Sequence, residues 1–183
     1  MPRIQPLDPA TATEPVKPML DGVQQKLGTV PNLLQTLAHA PAALQMYLGD
    51  SQALASTSLS AAQREQIALA VAETNGCHYC LSAHTLIGKG AGLDDDAIAA
   101  ARRGEASAAK DAAMLELARA IVEKRAWIGD EGVAKAREAG LSDAEIIEVI
   151  AVVVHNLFTN YMNHILDPEI DFPKVAPPAS VPA

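Results

Sequence analysis

The sequence predicts an all-α protein with a single domain. No stretch of its 183 residues alternates apolar and polar side chains for long enough to form a half-buried strand. Prolines, glycines and N-capping residues instead divide the chain into apolar or amphipathic segments of helical length. We expect roughly seven to nine helices packed as a bundle over residues 15–166. A flexible arm at 1–14 precedes this bundle, and an extended, proline-rich tail at 167–183 follows it.

Prolines open the helices of the first quarter of the chain. Pro15 suits the first turn of a helix that runs to about Lys26 and ends at Gly28. Pro31 and Pro41 each open a further helix, because proline fits the first turn of a helix but not its interior. The first 55 or so residues therefore hold about three short helices.

The next two helices form the centre of the predicted fold. Ser60 and Gln63 have the spacing of a capping box, and the segment after them is apolar on most of its sides. Its large apolar residues are Ile67, Leu69 and Val71. The Asn75-Gly76 pair ends this helix, and a second helix opens at Cys77. Because the connection is short, we expect the two helices to lie side by side and antiparallel.

The second half of the chain contains a weak internal repeat. A-G-L-D-D at 91–95 recurs as A-G-L-S-D at 139–143, and each copy supplies a glycine to end one helix and an aspartate or serine to cap the next. Helices are predicted between the copies at 107–127 and 130–139. The last long helix is predicted at 142–164.

Composition argues against a nucleic-acid-binding or membrane protein. The formal net charge is −8, whereas affinity for nucleic acids depends on clustered lysine and arginine. The longest apolar run, 146–154, is interrupted by Glu148 and falls short of the roughly 20 residues that cross a bilayer. The N-terminus lacks the pattern of a signal peptide, so we expect a cytoplasmic protein. Only 20% of the residues are charged, which leaves apolar surface for a partner subunit and predicts a homo-oligomer.

Four residues around the central turn predict the chemistry. The only two cysteines of the chain, Cys77 and Cys80, form one C-x-x-C at the start of a helix, where the helix dipole favours a thiolate. His84 follows Cys80 by four residues and lies over it on the same helical face. An antiparallel helix pair brings Glu65 back to this imidazole, where a carboxylate would orient the ring. Cys77, Cys80, His84 and Glu65 are therefore the predicted catalytic residues.

Two other interpretations of the cysteine pair remain open. The cysteines, His84 and Glu65 could hold zinc, although structural zinc sites usually combine two spaced ligand pairs. The cysteines could also be small core residues. A thioredoxin fold is excluded because a capped helix, and not a strand, precedes Cys77, and haem attachment is excluded because Leu81 follows Cys80. We expect no metal and no cofactor.

A second polar set lies within the apolar last helix. Asn156, Asn160 and Asn163 share one helical face with His164 beside them. We expect this face near the dithiol, where Asn156, Asn160, His164 and the cysteine-flanking Tyr79 could bind substrate. The alternative is that these side chains bond to neighbouring helices or to a partner subunit.

These motifs resemble the alkylhydroperoxidase D and carboxymuconolactone decarboxylase family, in particular its peroxidase-related branch. The resemblance rests on the spacing of Glu65, Cys77, Cys80 and His84, and extends to V-P-N-L-L-Q-T-L-A-H-A-P at 30–41 and to the segment 156–173. It implies an all-helical subunit in a homo-oligomer and a dithiol peroxidase without haem or metal. It also implies that Cys80 is the peroxidatic thiol, that Cys77 is the resolving thiol, and that His84 and Glu65 relay the proton.

The expected function is reduction of hydrogen peroxide or an organic hydroperoxide, as part of antioxidant defence. An external dithiol, either a lipoyl group or a thioredoxin-like protein, must then reduce the disulfide again. The alternatives are a non-enzymatic redox switch or adaptor, and a decarboxylase-like lyase that shares the fold.

Overall fold

The computed structural model describes residues 1–179, and within that range it contains nine α helices and no strand. The all-α prediction is therefore confirmed. The helices are α1 (Val16–Leu27), α2 (Asn32–Leu37), α3 (Pro41–Leu54), α4 (Ala61–Asn75), α5 (His78–Gly90), α6 (Asp95–Arg103), α7 (Ala109–Glu123), α8 (Gly129–Glu138) and α9 (Asp143–Leu166).

Helix α4 lies at the centre of the bundle. It packs against α5, α6, α7 and α9, and its residues 67–72 are all buried. The sequence explains this position, because small alanines alternate with Ile67, Leu69 and Val71 and let neighbouring helices approach from several sides. Ser60 and Gln63 form the predicted capping box at its start. Gly76 ends it with a left-handed φ of 72°, which glycine adopts without strain.

Helix α9 carries the second polar set into the core. The predicted capping box of Ser142 and Glu145 starts it, and it continues for 24 residues. Its inward face is apolar in the first half and bears buried asparagines in the second. The apolar half contributes to the common core, and the asparagine half reaches the start of α5.

Helix α7 is shorter than the segment 107–127 that the sequence predicts. It ends at Glu123, and Arg125 and Ala126 then adopt positive φ values of 52° and 65°. The Ala126 N–H donates to the Ile121 carbonyl at 2.7 Å, which closes the turn that glycine usually closes. Because no glycine marks this stop, the sequence signal was missing.

Both ends of the chain run along the bundle without helix. At the N-terminus, the Arg3 N–H donates to the Leu166 carbonyl at 2.9 Å and the Leu7 N–H donates to the Gln35 carbonyl at 3.2 Å. In the C-terminal tail, Ile170, Phe172 and Val175 pack against the core. Residues 180–183 of the predicted tail lie outside the described residues. The flexibility of the arm at 1–14 and the division of the chain at residues 15 and 166 stay predictions.

Within residues 1–179, no helix is both long enough and apolar enough to cross a membrane.

Candidate functional site

The turn between α4 and α5 brings the predicted carboxylate and imidazole together. His84 Nδ1 donates to Glu65 Oε2 at 2.7 Å, although the two residues are 19 apart in sequence. Both side chains are mostly buried, with 20% of His84 and 16% of Glu65 exposed, so water screens the pair only weakly. The antiparallel geometry expected from the Asn75-Gly76 turn therefore produces the expected contact.

The environment of His84 favours its charged form. Burial lowers the pKa of His84, but the negative charge of Glu65 and the hydrogen bond between the two raise it by more. The net pKa lies above the usual value for histidine. Because Nδ1 is held by Glu65, Nε2 is the nitrogen left to exchange a proton with a reacting group.

The two cysteines are free, buried and unequal in acidity. Cys77 caps α5, and the Cys80 N–H donates to Cys77 Sγ at 3.3 Å. The Cys80 side chain and this N–H lower the pKa of Cys77 despite its burial. Burial and the neighbouring Cys77 raise the pKa of Cys80. Of the two thiols, Cys77 therefore loses its proton more readily than Cys80.

Asparagines of α9 surround the Cys80 sulfur. Asn160 Nδ2 and Asn163 Nδ2 lie 3.0 and 3.2 Å from Cys80 Sγ and donate to it. Asn75 Nδ2 donates to Asn160 Oδ1 at 2.9 Å, which fixes the amide that faces the sulfur. Two N–H donors lower the free energy of a Cys80 thiolate once it forms. The sequence placed this face near the dithiol, and the distances agree with that placement.

Cys80 also lines a small cavity of about 210 Å³. The polar side chains of this cavity are few, and most of its wall consists of apolar and aromatic groups. The lining residues are Leu27, Thr29, Pro31, Leu33, Leu34, Tyr47, Tyr79, Cys80, Ala83, His84, Leu86, Ile87, Thr159, Asn163 and Phe172. Cys77 does not line it, but borders a separate groove of about 470 Å³ beside His78 and His164. A wider groove of about 760 Å³ around Arg102 contains neither cysteine, so we place the site at the smaller cavity.

Tyr79 fastens the C-terminal tail over this cavity. Its hydroxyl donates to Asp171 Oδ1 at 2.8 Å and accepts from the Leu33 N–H at 3.2 Å. Asp171 Oδ2 also accepts from the Asn32 N–H at 2.8 Å. Phe172 meets the Tyr79 ring edge-on, with 5.5 Å between centroids. The Tyr79 ring therefore lines the cavity, but its hydroxyl is already engaged.

Three of the four predicted substrate-binding residues do not line the cavity. Asn160 contacts the Cys80 sulfur but is not part of the cavity wall. Asn156 is buried, and its Nδ2 donates to the Val152 carbonyl at 2.9 Å within α9. His164 is exposed and borders the Cys77 groove. Their roles in substrate binding stay predictions that the cavity does not support. Conversely, Tyr47, Asn163 and Phe172 line the cavity without having been predicted as site residues.

Metal binding has no structural support in the part of the chain from residue 1 to 179. No group of three or more histidine, cysteine, aspartate or glutamate side chains lies close enough together there to hold an ion.

The fold and this geometry agree with a comparison to known families. The model of the carboxymuconolactone decarboxylase family matches residues 40–124, which include Glu65, Cys77, Cys80 and His84. Through this segment the chain is similar to that family. The match covers helices α3 to α7, so the asparagines of α9 and the tail over the cavity lie outside it. No curated protein matches the chain.

Solved structures share the fold over nearly the whole length of the chain. A peroxidase-related protein from Ralstonia eutropha JMP134 with an alkylhydroperoxidase AhpD core is 22% identical, with a TM-score of 0.83 over 93% of this chain and 92% of that one. A peroxidase-related protein from Silicibacter sp. TM1040 is 24% identical, with a TM-score of 0.78 over 97% and 93%. A variant of the debrominase Bmp8 in complex with 2,3,4-tribromopyrrole is 22% identical, with a TM-score of 0.79 over 92% and 91%. At these identities the likeness concerns the fold alone.

Proposed function

We propose that the protein is a dithiol peroxidase that reduces hydrogen peroxide or an organic hydroperoxide. One observation carries the proposal: Cys80 lies on the wall of a small, mostly apolar cavity together with His84, whose ring is held by Glu65. A second thiol, Cys77, precedes it by three residues and hydrogen bonds to its N–H. This set provides a nucleophile, a base and a resolving thiol.

The first step oxidises Cys80. His84 accepts the Cys80 proton, and the amide groups of Asn160 and Asn163 stabilise the thiolate. The sulfur attacks the terminal oxygen of the hydroperoxide, so that an S–O bond forms and the O–O bond breaks. Cys80 becomes a sulfenic acid, and the remaining oxygen leaves as an alcohol, or as water from hydrogen peroxide.

The second step uses the lower pKa of Cys77. Because the lowered pKa makes the Cys77 thiolate easier to form, this thiolate attacks the sulfur of the Cys80 sulfenic acid. An S–S bond forms, and the sulfenic oxygen leaves as water. An external dithiol, such as a lipoyl group or a thioredoxin-like protein, must then transfer two electrons to the disulfide. A reducing compartment such as the cytoplasm would keep the pair in its dithiol form.

Reductive dehalogenation is a second candidate, because the cavity is rich in aromatic side chains. Tyr47, Tyr79 and Phe172 line it, and a flat halogenated ring of about the size of a pyrrole fits such a wall. The debrominase of similar fold suggests this substrate class. The electrons balance in the same way: the two thiols supply two electrons, hydrogen replaces the halogen as halide leaves, and the disulfide forms.

We also propose that a second copy of the chain covers the outer face of α9. Five large apolar side chains follow one another along this helix at spacings of three, four and seven residues. They are Ile147, Ile150, Val154, Tyr161 and Ile165, each at least 40% exposed. A stripe of this length on a 24-residue helix is typical of a subunit interface.

The experiment that tests the function is a titration of the reduced protein with cumene hydroperoxide, followed by turnover with dihydrolipoamide. We expect one equivalent of peroxide to convert both thiols into the disulfide, and catalytic turnover once the donor is added. Oxidation of the two thiols without turnover favours the redox switch. Turnover with 2,3,4-tribromopyrrole and the donor, but not with peroxide and the donor, favours the dehalogenase. If the thiols of the protein react with cumene hydroperoxide no faster than those of free dithiothreitol, the result supports the lyase instead.

A further inference from the structure

Tyr47 lines the cavity but has no role in the steps above. It belongs to α3, whereas Cys80 and His84 belong to α5, and all three border the same space of about 210 Å³. A substrate that fills this space therefore meets the phenol as well as the thiol. Burial raises the pKa of Tyr47, the nearby Ser51 hydroxyl lowers it, and the proximity of Glu65 and Cys80 raises it again. The net pKa is raised, so the phenol keeps its proton at neutral pH.

The hydroxyl of Tyr79, the other phenol of the cavity, already has hydrogen-bond partners. Tyr79 donates its hydroxyl proton to Asp171 at 2.8 Å. The Ser51 hydroxyl beside Tyr47 lowers the pKa of the phenol, as a donor to the phenol oxygen does, so this contact leaves the Tyr47 proton unused. Its O–H is therefore free to donate to an oxygen bound in the cavity.

Two side chains hold the Tyr47 ring in place. His155 of α9 stacks on it, with 5.1 Å between ring centroids and 19° between the ring planes. Ser51, one helical turn after Tyr47, lies with its hydroxyl 3.3 Å from His155 Nε2. Burial lowers the pKa of His155, so the ring behind the phenol is uncharged at neutral pH and does not promote loss of the phenol proton. The Tyr47 ring is thus held in place, and its hydroxyl keeps its proton.

We propose that Tyr47 is a catalytic residue that donates its hydroxyl proton to the oxygen that leaves during the peroxide step. This inference rests on the proposed peroxidase function. As Cys80 attacks the terminal oxygen, the other oxygen departs on the side away from the sulfur and carries the electron pair of the O–O bond. It takes the Tyr47 proton and leaves as the alcohol. The Tyr47 phenolate regains a proton from the His84 imidazolium, which holds the one that Cys80 lost, so the step needs no further acid.

The test compares Tyr47→Phe with the wild type, because phenylalanine keeps the ring and its stack but removes the hydroxyl. The reduced proteins are mixed in a stopped-flow instrument with tert-butyl hydroperoxide, peracetic acid or iodoacetamide. Only the alkoxide from the first reagent needs a proton to leave. We expect Tyr47→Phe to react with tert-butyl hydroperoxide about 100-fold more slowly, within the range of general acid catalysis, and with the other two reagents within about twofold of the wild type.

Trp127→Phe is the matched control, because it also removes a hydrogen-bond donor from an aromatic side chain. Trp127 is 88% exposed and does not line the cavity, so all three rates should equal the wild-type rates. Equal slowing of Tyr47→Phe toward all three reagents would overturn the inference, because the variant would then have disturbed the thiol. An unchanged rate with tert-butyl hydroperoxide would overturn it as well. A wild-type protein that reacts with this reagent no faster than free dithiothreitol overturns the peroxidase function itself, and that failure is seen before any variant is made.

Discussion

The two sulfurs of the dithiol differ in what surrounds them. Cys80 meets the cavity and two amide donors, while Cys77 caps a helix and carries the lower pKa. A helix N-terminus stabilises a thiolate by only about 0.3 to 1 kcal/mol at exposed sites. A positioned base contributes about 10² to 10⁴ in rate, which is roughly 3 to 5 kcal/mol. On these magnitudes the base and the cavity outweigh the helix dipole, which is why we propose Cys80 as the attacking sulfur.

Trapping of the oxidised sulfur tests this assignment. Under one equivalent of peroxide, Cys77→Ser should accumulate a Cys80 sulfenic acid that dimedone labels, because no second thiol resolves it. Cys80→Ser should give almost no label. Mass spectrometry of the peptide around α5 reads out both results. Labelling of Cys77 in Cys80→Ser at the wild-type rate would reverse the two roles.

Titration of His84 tests the contribution of Glu65. The carboxylate raises the pKa of His84 against burial, so Glu65→Gln should lower this pKa, since only the smaller effect of Cys77 then opposes burial. NMR of the imidazole gives the midpoints in both proteins. Glu73→Gln, which removes a carboxylate that pairs with Arg102 instead, is the control and should leave the His84 midpoint unchanged. A midpoint for His84 that is the same in both proteins would contradict the pairing.

The raised pKa of His84 also predicts how the stability of the fold changes with pH. The folded protein holds the His84 proton more tightly than the unfolded chain does, so the pair stabilises the fold fully below the pKa of unfolded histidine. This contribution disappears as the pH rises through the raised pKa of the folded state. Urea unfolding at a series of pH values should therefore show a loss of stability across this window in the wild type that is absent from Glu65→Gln.

At the scale of helices, the parts predicted from sequence were those with local signals. The capping boxes at Ser60 and Ser142 fixed the starts of α4 and α9, and the short turn at Gly76 brought Glu65 to His84. The end of α7 was missed because Arg125 and Ala126, and not a glycine, adopt positive φ there. Local capping rules thus recover helix boundaries only where the residue types that favour them are present.

The residues that line the cavity were predicted only in part, and the reason differs from that for the end of α7. Tyr47 and Phe172 reach it from parts of the chain far from Cys80 in sequence. Phe172 lies in the segment 156–173 that carries the resemblance, but nothing in the sequence indicates that either ring meets Cys80. Asn160, which contacts the Cys80 sulfur, was predicted because a row of asparagines on one face of an apolar helix is itself unusual. Contacts that depend only on tertiary packing leave no comparable pattern in a single sequence.

The tail over the cavity should control access to Cys80. Asp171→Ala removes the acceptor of both the Tyr79 hydroxyl and the Asn32 N–H. Hydrogen bonds to charged groups contribute about 1.5 to 3 kcal/mol, so the open form should become roughly tenfold or more populated. Alkylation of Cys80 in the Cys77→Ser background by N-ethylmaleimide should accelerate to the same degree.

Glu169→Ala serves as the control for the tail variant, because Glu169 contributes only its backbone carbonyl to Asn32. Its alkylation rate should stay at the level of the Cys77→Ser background. Equal rates for Asp171→Ala and this control would mean that the tail does not limit access.

At the scale of the whole molecule, the apolar stripe of α9 predicts assembly. The double variant Ile147→Lys with Ile165→Lys places charge at the two most exposed positions of the stripe, at 66% and 67%. We expect light scattering to show an oligomer for the wild type and a monomer for the variant, because burying an unpaired charge costs several kcal/mol. Trp127→Lys, at an exposed position outside α9, should leave the oligomer intact. A monomeric wild type would remove the basis for this interface.

The two sulfurs are reached from two different spaces of the protein. Cys80 opens onto the cavity and Cys77 borders the other groove, while Tyr79 and Asn163 border both spaces and form the partition between them. In the peroxidase cycle that we propose, the peroxide would reach Cys80 through the cavity and the donor would reach Cys77 through the groove, so the two reagents would not compete for one entrance. A concentration of the donor that saturates the groove should leave the affinity for the peroxide unchanged. The rate of Cys80 oxidation and the rate of disulfide reduction would then depend on separate concentrations.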